Sequence, residues 1–372
     1  MKLLVIGASN EIMPKGYVYS IGASEVLNAS TGGCGISAGV VNYFKHDQPK
    51  ADFALLSFEL NEHSLIRSKF RSPVEVNQLW DWLLCTLAQD QTYPVVTVLP
   101  RLEHGKIVRT STCDLHKDIA QRHGAAFVDI AALFVAAQAA GITQERLMKD
   151  NAHMQEDVAQ IVGRHIGRYL SGLTGSLQRQ AETVWTLADF AVVKAADFLP
   201  AASIISRKTS LTTAELVCFD EGDVFDIPGE HGDTLLALSI NRCSMPGAVL
   251  TLGLTVKPLF YTQAKPDAYM NVVVDMTGGI GFDGPQLRGE VNPCNHEPTE
   301  ATWLGGPVPG SSDVKGQIEI EGALIRKTTG RVISVAAHVA PGAMADFAST
   351  NFADQLLQEL LTLGKDVINP VA

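Results

Sequence analysis

The sequence opens with Met1-Lys-Leu-Leu-Val-Ile-Gly-Ala-Ser-Asn10, and the expected architecture is built outward from this stretch. Leu3 to Ile6 form a short run of aliphatic and β-branched residues, which predicts a fully buried strand that Gly7 ends. Open α/β sheets bind their ligands at the carboxyl ends of the strands, so a serine two residues past such a strand is a candidate functional residue. Alternatively, Ser9 only caps the segment that follows it. Three later motifs bear on this choice.

Strand patterns alternate with helical patterns up to about residue 170. Further strands are predicted over 26–27, 51–58, 93–100 and 125–130, and helices over 37–44, 72–89, 115–123 and 154–170. The helix after Ser72 begins with a capping box, Ser72-Pro-Val-Glu75. The alternation predicts a parallel sheet between two layers of helices, a three-layer α/β/α sandwich over residues 1–172.

A boundary is predicted at Gly172-Leu-Thr-Gly-Ser176, because helical periodicity mostly stops there. Short β-rich segments follow, separated by Gly, Pro and Asp turns, over 234–240, 249–256, 269–275, 316–321 and 331–336. They predict a β-rich second domain over 177–372, of the β-sandwich or jelly-roll kind. An amphipathic helix is predicted near its end, over 352–363.

Composition narrows the classes of function. The net charge is −11, with 16 Lys+Arg against 17 Asp+Glu in residues 1–175 and 13 against 23 in residues 176–372. No basic stripe is present to neutralise phosphates, so nucleic acid is not an expected partner, and anionic membranes are disfavoured for the same reason. We expect no membrane span, because no apolar run of about 18 residues occurs, and a cytoplasmic location, because no secretory signal is visible.

The cysteines indicate neither a disulfide framework nor a metal site. The six are widely spaced, without a Cys-x-x-Cys pair, and in a reducing compartment we expect free thiols. The acidic stretch 219–233 lacks the spacing of a calcium loop and is interpreted as a solvated turn. No metal and no cofactor are expected.

Three later motifs support a catalytic role for Ser9. Asn28-Ala-Ser-Thr-Gly-Gly33 places glycines directly after a short strand, where backbone N–H groups are left to face a ligand. Asn61 follows the third strand, so its amide can reach the same crevice. Asp150-x-x-His153 puts a carboxylate and an imidazole on one side of a loop, where the first can hold the second.

These four blocks, in this order, resemble those of the SGNH hydrolase superfamily, the GDSL esterase/lipase group. Gly7-Ala-Ser-Asn10 is similar to its nucleophile block, Asn28–Gly33 to its glycine block, Glu59-Leu-Asn-Glu62 to its asparagine block and Asp150-Asn-Ala-His153 to its last block. The resemblance covers residues 1–172. The chain departs from the family pattern at Ala8, where the family has Asp, and in the acidic residues on either side of Asn61.

The resemblance implies a role for each block residue. Ser9 would be the nucleophile, His153 its base and Asp150 the residue that orients the imidazole. The oxyanion hole would consist of the backbone N–H groups of Ser9 and Gly33 and the side-chain amide of Asn61. Four neighbouring residues are candidates to line the pocket: Asn10, Gly32, Glu62 and His63.

A second serine fits a different nucleophile motif. Gly35-Ile-Ser-Ala-Gly39 matches the G-x-S-x-G pattern of α/β-hydrolases, with Ser37 as the nucleophile. That motif requires an apolar strand running directly into the serine, and here the preceding residues are Ser-Thr-Gly-Gly-Cys. The sequence therefore favours Ser9.

The expected function is a serine esterase that hydrolyses O-acyl esters, and O-acetyl groups on a carbohydrate are the expected substrate. The carbohydrate part rests on analogy with the family. An O-acyltransferase of polysaccharide biosynthesis, a lipase or thioesterase, and a non-catalytic glycan-binding module are the alternatives. The expected partner is a small-molecule or glycan ester, and the second domain is expected to bind carbohydrate, shape the cleft or join copies of the chain in a homo-oligomer.

Overall fold

A computed structural model describes residues 1–46, 50–174, 178–200, 203–209, 212–242, 247–260, 268–293, 296–299, 315–339, 346–347 and 350–365. The chain forms two compact units. The first unit comprises Met1–Ser64, Leu83–Trp185 and Ile333–Ala372, and the second comprises Leu65–Trp82 and Thr186–Val332. Ser176 of the predicted boundary and two of the six cysteines, Cys243 and Cys294, lie outside the described part. The four described cysteines, Cys34, Cys85, Cys113 and Cys218, are thiols, as predicted.

The first part of the chain alternates between strands and helices as predicted. Its strands are β1 (Lys2–Gly7), β2 (Glu25–Asn28), β3 (Phe53–Ser57), β4 (Tyr93–Val98), β5 (Arg101–Glu103), β6 (Lys106–Val108) and β7 (Ala126–Asp129). Its helices are α1 (Ser9–Ile12), α2 (Ile36–Lys45), α3 (Glu59–Arg67), α4 (Pro73–Gln89), α5 (Thr112–Arg122), α6 (Ile130–Ala139), α7 (Gln144–Leu147) and α8 (Glu156–Leu173), with a short 3-10 helix at Tyr17–Ser20.

Five of these strands form a parallel sheet in the order β2-β1-β3-β4-β7. Every residue of β3 and β4 is buried, which requires packing on both faces of the sheet and explains why these strands are continuous apolar runs in the sequence. The strand order reverses between β1 and β3. In sheets of this order the crevice at that reversal, outside the carboxyl ends of the strands, is the usual place for a ligand.

Two local features of the first unit were not predicted. The helix α3 begins at Glu59, so Asn61 lies in its first turn, and the Phe58 carbonyl accepts hydrogen bonds from the N–H groups of Asn61 and Glu62 at 3.1 and 3.0 Å. Acidic residues in a first helical turn suit the helix dipole. The hairpin of β5 and β6 was not predicted, because three-residue strands are too short to show a period.

The second unit is built from antiparallel strands, which confirms its predicted β-rich character. Its strands are β9 (Phe190–Lys194), β10 (Ile204–Lys208), β11 (Thr213–Asp220), β12 (Val224–Pro228), β13 (Thr234–Asn241), β14 (Gly247–Leu252), β15 (Thr255–Phe260), β16 (Asn271–Gly281), β17 (Gln286–Asn292) and β18 (Gln317–Arg326), with a 3-10 helix at Ala195–Asp197. The described pairings join these ten strands in one connected sheet around β18, and the sandwich or jelly-roll form stays a prediction. Before and after them, β8 (Gln178–Leu187) and β19 (Arg331–Val339) pair with each other.

The β-rich segment predicted over 249–256 contains parts of two strands and the turn between them. The chain reverses at Gly253, which has a φ of +59°, so that β14 and β15 form a hairpin in which Leu252 pairs with Thr255. Glycine adopts this left-handed conformation without the steric penalty of a side chain, and for that reason a turn fits inside an apparently continuous apolar run.

The predicted terminal helix is present as α9 (Asn351–Lys365), and it belongs to the first unit. Its buried residues Ala353, Leu356 and Leu360 lie in the same apolar core as residues of α6 and α8. The compact units therefore do not follow a single division of the chain near residue 172, because an amphipathic helix packs where its apolar face finds a partner. Within the described residues, no helix has both the length and the apolar character needed to cross a bilayer.

Candidate active site

Ser9 lies at the point where the chain leaves the first strand. β1 ends at Gly7, and Ser9 is the first residue of the short helix α1, beside the reversal of strand order between β1 and β3. Ser37, the alternative nucleophile, is the second residue of α2. A loop of seven residues separates the start of α2 from the end of β2. Ser37 therefore lacks the strand-to-serine connection that its motif requires.

The structure brings Ser9 together with His153 and Asp150. Ser9 Oγ lies 2.9 Å from His153 Nε2, and His153 Nδ1 lies 2.8 Å from the nearer carboxylate oxygen of Asp150. Asp150 Oδ1 also accepts hydrogen bonds from the backbone N–H groups of Ala152 and His153. Partial burial acts to raise the pKa of Asp150, but the hydrogen bonds from Ala152 and His153 outweigh it, and the net shift is downward. Asp150 is thus held as a carboxylate beside the imidazole.

The loop that carries His153 is held by two separate contacts. Asn10, next to the serine, donates its side-chain amide to the Ala152 carbonyl at 2.9 Å. Leu102, in the β5–β6 hairpin, donates its N–H to the Asn151 carbonyl at 3.0 Å. Asn10, a predicted pocket residue, lines the cavity beside Ser9 and also links the segment that carries Ser9 to the loop that carries His153.

The glycine turn continues the parallel pairing of β1 and β2 toward the serine. Thr31 N–H donates to the Gly7 carbonyl at 3.0 Å, which brings the next residues alongside Ser9. A β-carbon placed on Gly32 would lie 4.0 Å from the β-carbon of Ser9. Gly33 has a φ of +73°, in the left-handed region that favours glycine. The sequence of small residues in this turn therefore permits a close approach to the serine.

Asn61 and Ser9 line the same small cavity. Asn61 Nδ2 donates to the Cys34 carbonyl at 3.1 Å, which ties the start of α3 to the glycine turn. The cavity has a volume of about 20 Å³, and its remaining walls are mostly apolar or small side chains from the ends of β1, β3 and β4 and from the histidine loop: Ala8, Asn10, Glu11, Ser57, Phe58, Leu60, Leu99 and Ala152. Residues of the nucleophile, asparagine and histidine blocks thus meet at this cavity, and the glycine block passes alongside Ser9.

Two candidate pocket residues face other groups. The Glu62 carboxylate accepts the Ile36 N–H at 3.0 Å and lies 2.5 Å from His116 Nε2. His63 Nδ1 lies 3.2 Å from the Thr112 hydroxyl, and its Nε2 is 3.8 Å from Glu103. Neither side chain is among those that line the cavity beside Ser9.

A buried carboxylate that the sequence analysis missed lies behind the serine. Glu11 is fully buried, and its carboxylate accepts the Ala8 N–H at 2.7 Å and the Tyr17 hydroxyl at 2.6 Å. Burial is the main cause of the raised pKa of Glu11, and the hydrogen bonds from Tyr17 and Ala8 oppose it. The signal in the sequence is a glutamate in the first turn after a buried strand, which alone is typical of an exposed helix start.

Replacing Gly7 by alanine is expected to destabilise the protein by about 1–3 kcal/mol. A β-carbon at this position would lie 2.6–2.7 Å from three atoms of the Glu11 side chain, and displacing that buried carboxylate breaks its hydrogen bond with Ala8. Denaturant unfolding measures the change. Gly172→Ala is the matched control, because its nearest neighbour is at 3.9 Å, and it is expected to be neutral or slightly stabilising. Equal unfolding midpoints for Gly7→Ala and the wild type would contradict the prediction.

No clustered metal ligands accompany this site. In the described ranges, no group of three or more His, Cys, Asp and Glu side chains is arranged to hold a metal ion. The arrangement offers a hydroxyl in contact with an imidazole, a carboxylate on the far side of that imidazole, and an adjacent cavity that Asn61 also lines. These are the parts that nucleophilic acyl transfer requires.

Sequence comparison matches the chain to no family model and to no curated protein. Structure comparison gives matches over about half of the chain. An acetyl xylan esterase, AlAXEase, is similar over 46% of this chain and 98% of its own, at 13% identity and a TM-score of 0.38.

Two further structures give the same result. TesA is similar over 46% of this chain and 98% of its own, at 16% identity and a TM-score of 0.33. A putative lipolytic protein of the G-D-S-L family from Desulfitobacterium hafniense DCB-2 is similar over 45% of this chain and 98% of its own, at 14% identity and a TM-score of 0.35. The chemistry of the site is therefore argued from the residues of this chain alone.

Proposed function

We propose that the first unit is a serine ester hydrolase of the SGNH superfamily, acting through an acyl-enzyme on Ser9. One observation carries the proposal: Ser9 Oγ, His153 and Asp150 form a continuous chain of contacts of 2.9 and 2.8 Å at the ligand-binding edge of the sheet. A nucleophile in contact with its base, and a base oriented by a third group, is the signature of this chemistry.

The roles in the reaction follow from these contacts. Ser9 Oγ attacks the ester carbonyl while His153 Nε2 takes its proton, and Asp150 stabilises the imidazolium that forms. The tetrahedral intermediate collapses when the C–O bond to the alcohol breaks and His153 returns the proton to the leaving oxygen. Water then attacks the acyl-serine, again giving its proton to His153, and the acid leaves with Ser9 restored.

The oxyanion of the intermediate is proposed to bind the backbone N–H groups of Ser9 and Gly33 and the amide of Asn61. The support is proximity: the glycine turn passes alongside Ser9, and Asn61 shares a cavity with it. One proton of the Asn61 amide is used by the Cys34 carbonyl, and the amide has a second one to donate.

Replacing Asn61 by alanine is expected to lower kcat by about 10²–10³-fold with little change in KM, because this amide contacts charge that develops in the transition state. Steady-state hydrolysis of p-nitrophenyl acetate measures both constants. Ser64→Ala, one turn further along α3, controls for changes to the helix. A raised KM with an unchanged kcat would assign Asn61 to substrate binding instead.

The cavity beside Ser9 favours a short acyl group. A volume of about 20 Å³ holds roughly one small group, and Phe58, Leu60 and Leu99 are among its walls. We therefore propose acetyl esters as substrates. The charged side chains of Arg101 and Glu103 lie in the hairpin that contacts the histidine loop, and such polar groups suit a polyhydroxylated leaving alcohol, so a carbohydrate O-acetyl ester is proposed.

Phosphonate labelling and ester hydrolysis test the proposed function together. A fluorophosphonate is expected to form one adduct, mapped by mass spectrometry to Ser9, in the wild type and in Ser37→Ala but not in Ser9→Ala. p-Nitrophenyl acetate is expected to be hydrolysed about tenfold faster than the butyrate ester, because extra methylenes do not fit the cavity. An adduct on Ser37 would overturn the assignment of the nucleophile. The absence of any adduct and of any turnover would favour the non-catalytic alternative.

For the second unit we propose an accessory role in holding glycan. A groove of about 700 Å³ lies at one end of β14 to β17 and is lined largely by glycines and by polar side chains that can hydrogen bond to hydroxyl groups: Thr251, Thr255, Asp283, Gln286, Arg288 and Glu290. Xylotetraose is the probe, and calorimetry of the full chain is expected to show weak binding that Arg288→Ala reduces. Equal titration heats for the two proteins would contradict this role for the groove.

A further inference from the structure

Glu62, the residue after Asn61, is a buried carboxylate that contacts two other elements of the first unit. It is fully buried, as is His116 of α5, whose Nε2 lies 2.5 Å from Glu62 Oε2. The other carboxylate oxygen accepts the N–H of Ile36, the first residue of α2, at 3.0 Å. Taking a carboxylate out of water is costly unless it is paired and hydrogen-bonded, so this arrangement is a built contact and not a surface acid that happens to be covered.

These contacts act on the glycine turn. Asn61 holds the Cys34 carbonyl through its side chain, and Glu62 holds the Ile36 N–H through its own. Two consecutive residues at the start of α3 thus hold the chain at Cys34 and at Ile36, one and three residues after Gly33. Without these contacts, the left-handed backbone at Gly33 is free to take other conformations, because glycine restricts its own dihedral angles least of all residues.

Glu59 is a second buried carboxylate of α3, and it interacts with both His116 and Glu62. It lies on the same helix, is buried, and accepts a hydrogen bond from the Thr110 hydroxyl. Burial is the main cause of the raised pKa of Glu59, the hydrogen bond from Thr110 and the Coulomb interaction with His116 lower this pKa, and the Coulomb interaction with Glu62 raises it. His116 thus interacts with two acidic side chains of α3, and its contact with Glu62 fixes the direction of that carboxylate.

We propose that Glu62, held in place by His116, is a positioning residue of the oxyanion hole. Glu62 acts through the backbone. Its carboxylate holds the Ile36 N–H, and this contact restrains the turn that contains Gly33. The helix that carries Glu62 also carries Asn61. The inference rests on the proposed function, since it assigns Glu62 a role in the same site. A misplacement of catalytic groups by about 1 Å costs roughly 10²-fold in rate, so an effect of this order is expected from a residue that touches no substrate.

The test compares Glu62→Met with Glu62→Gln. Methionine fills a similar volume and offers no acceptor for the Ile36 N–H, while the glutamine amide oxygen still accepts it. We expect Glu62→Met to lower kcat by about 10–10²-fold without a change in KM, and Glu62→Gln to recover most of the loss. The kcat of His116→Gln is expected to lie between those of Glu62→Met and Glu62→Gln, because this change keeps the Glu62 carboxylate but removes the imidazole that holds it. His116→Gln replaces Glu62→Met in the test if Glu62→Met does not fold.

A second His–Glu pair supplies the matched control. Glu359 of α9 lies 2.9 Å from Nε2 of the buried His165 in α8, a contact of the same chemistry between helices that contribute no residue to the cavity beside Ser9. Glu359→Met is expected to leave kcat unchanged. In the Asn61→Ala background, Glu62→Met is expected to have a smaller effect than in the wild type, because one of the two donors it positions is already absent.

Hydrogen exchange separates this proposal from the proposed function. Amides of residues 31–36 are expected to exchange faster in Glu62→Met than in the wild type and in Glu359→Met, whether or not the protein hydrolyses esters. A wild type without a Ser9 adduct would overturn the proposed function, and the exchange rates would still decide the claim about the turn. A folded Glu62→Met variant with wild-type kcat and wild-type exchange would overturn the positioning role and leave the esterase standing.

Discussion

Replacing His153 by alanine is expected to lower kcat for p-nitrophenyl acetate by about 10⁴–10⁶-fold. The Nε2 atom of this residue contacts Ser9 Oγ at 2.9 Å, so its loss leaves the serine hydroxyl without the imidazole that takes its proton and later protonates the leaving alcohol. Steady-state kinetics of the purified variant measure the loss, and fluorophosphonate labelling of Ser9 is expected to slow in parallel.

Two further variants make this prediction specific. The kcat of the double variant Ser9→Ala/His153→Ala is expected to lie within about tenfold of the kcat of either single variant, because the two residues act as a unit. His231→Ala, in an exposed turn of the second unit, is expected to retain full activity. A His153→Ala protein that keeps more than about a tenth of the wild-type rate would exclude His153 as the base.

Replacing Asp150 by asparagine is expected to lower kcat by about 10⁴-fold. The carboxylate lies 2.8 Å from His153 Nδ1, and an amide at this position favours the wrong tautomer of the imidazole and gives the imidazolium no counter-charge. Steady-state kinetics of p-nitrophenyl acetate hydrolysis by the variant and the wild type measure the loss of rate.

Asp157→Asn is the matched control for that substitution. Asp157 lies at the start of α8 and pairs with Arg146 at 2.6 Å, so the change removes a nearby charge without touching His153. It is expected to leave kcat within about twofold of the wild type, as for most surface ion pairs. If Asp150→Asn behaves like Asp157→Asn, the imidazole is oriented by its loop alone and Asp150 has no catalytic role.

The strands of the parallel sheet were predictable because strands that are buried on both faces form continuous apolar runs in the sequence. The run from Leu3 to Ile6 is a strand buried almost completely, and the capping box at Ser72 does begin a helix. The hairpin after β4 and the turn at Gly253 were not predicted. Each depends on a few residues with positive φ angles, and a segment of a few residues is too short to show a repeating pattern.

The contacts among Ser9, His153 and Asp150 could be anticipated from the resemblance of the four sequence blocks to the SGNH pattern, whereas the spacing of Asp150 and His153 alone predicts only that these two side chains meet. The supporting acids could not. In sequence, Glu11 and Glu62 are indistinguishable from the exposed acidic residues that commonly begin helices, and only the three-dimensional contacts with Tyr17 and His116 identify them as buried groups. Buried charge depends on partners far away in the chain, and a local pattern carries no information about them.

The position of α9 has a consequence for the order in which the protein forms during synthesis. The apolar faces of α6 and α8 are complete only when Ala353, Leu356 and Leu360 pack against them, and these residues are separated from α8 by nearly two hundred positions. On the ribosome, all sequence elements of the candidate active site emerge before α9, yet the core beneath them stays partly uncovered until α9 has been translated. A polypeptide ending at residue 172 would therefore expose a hydrophobic surface that aggregates, and catalytic competence would appear only in chains translated at least through α9.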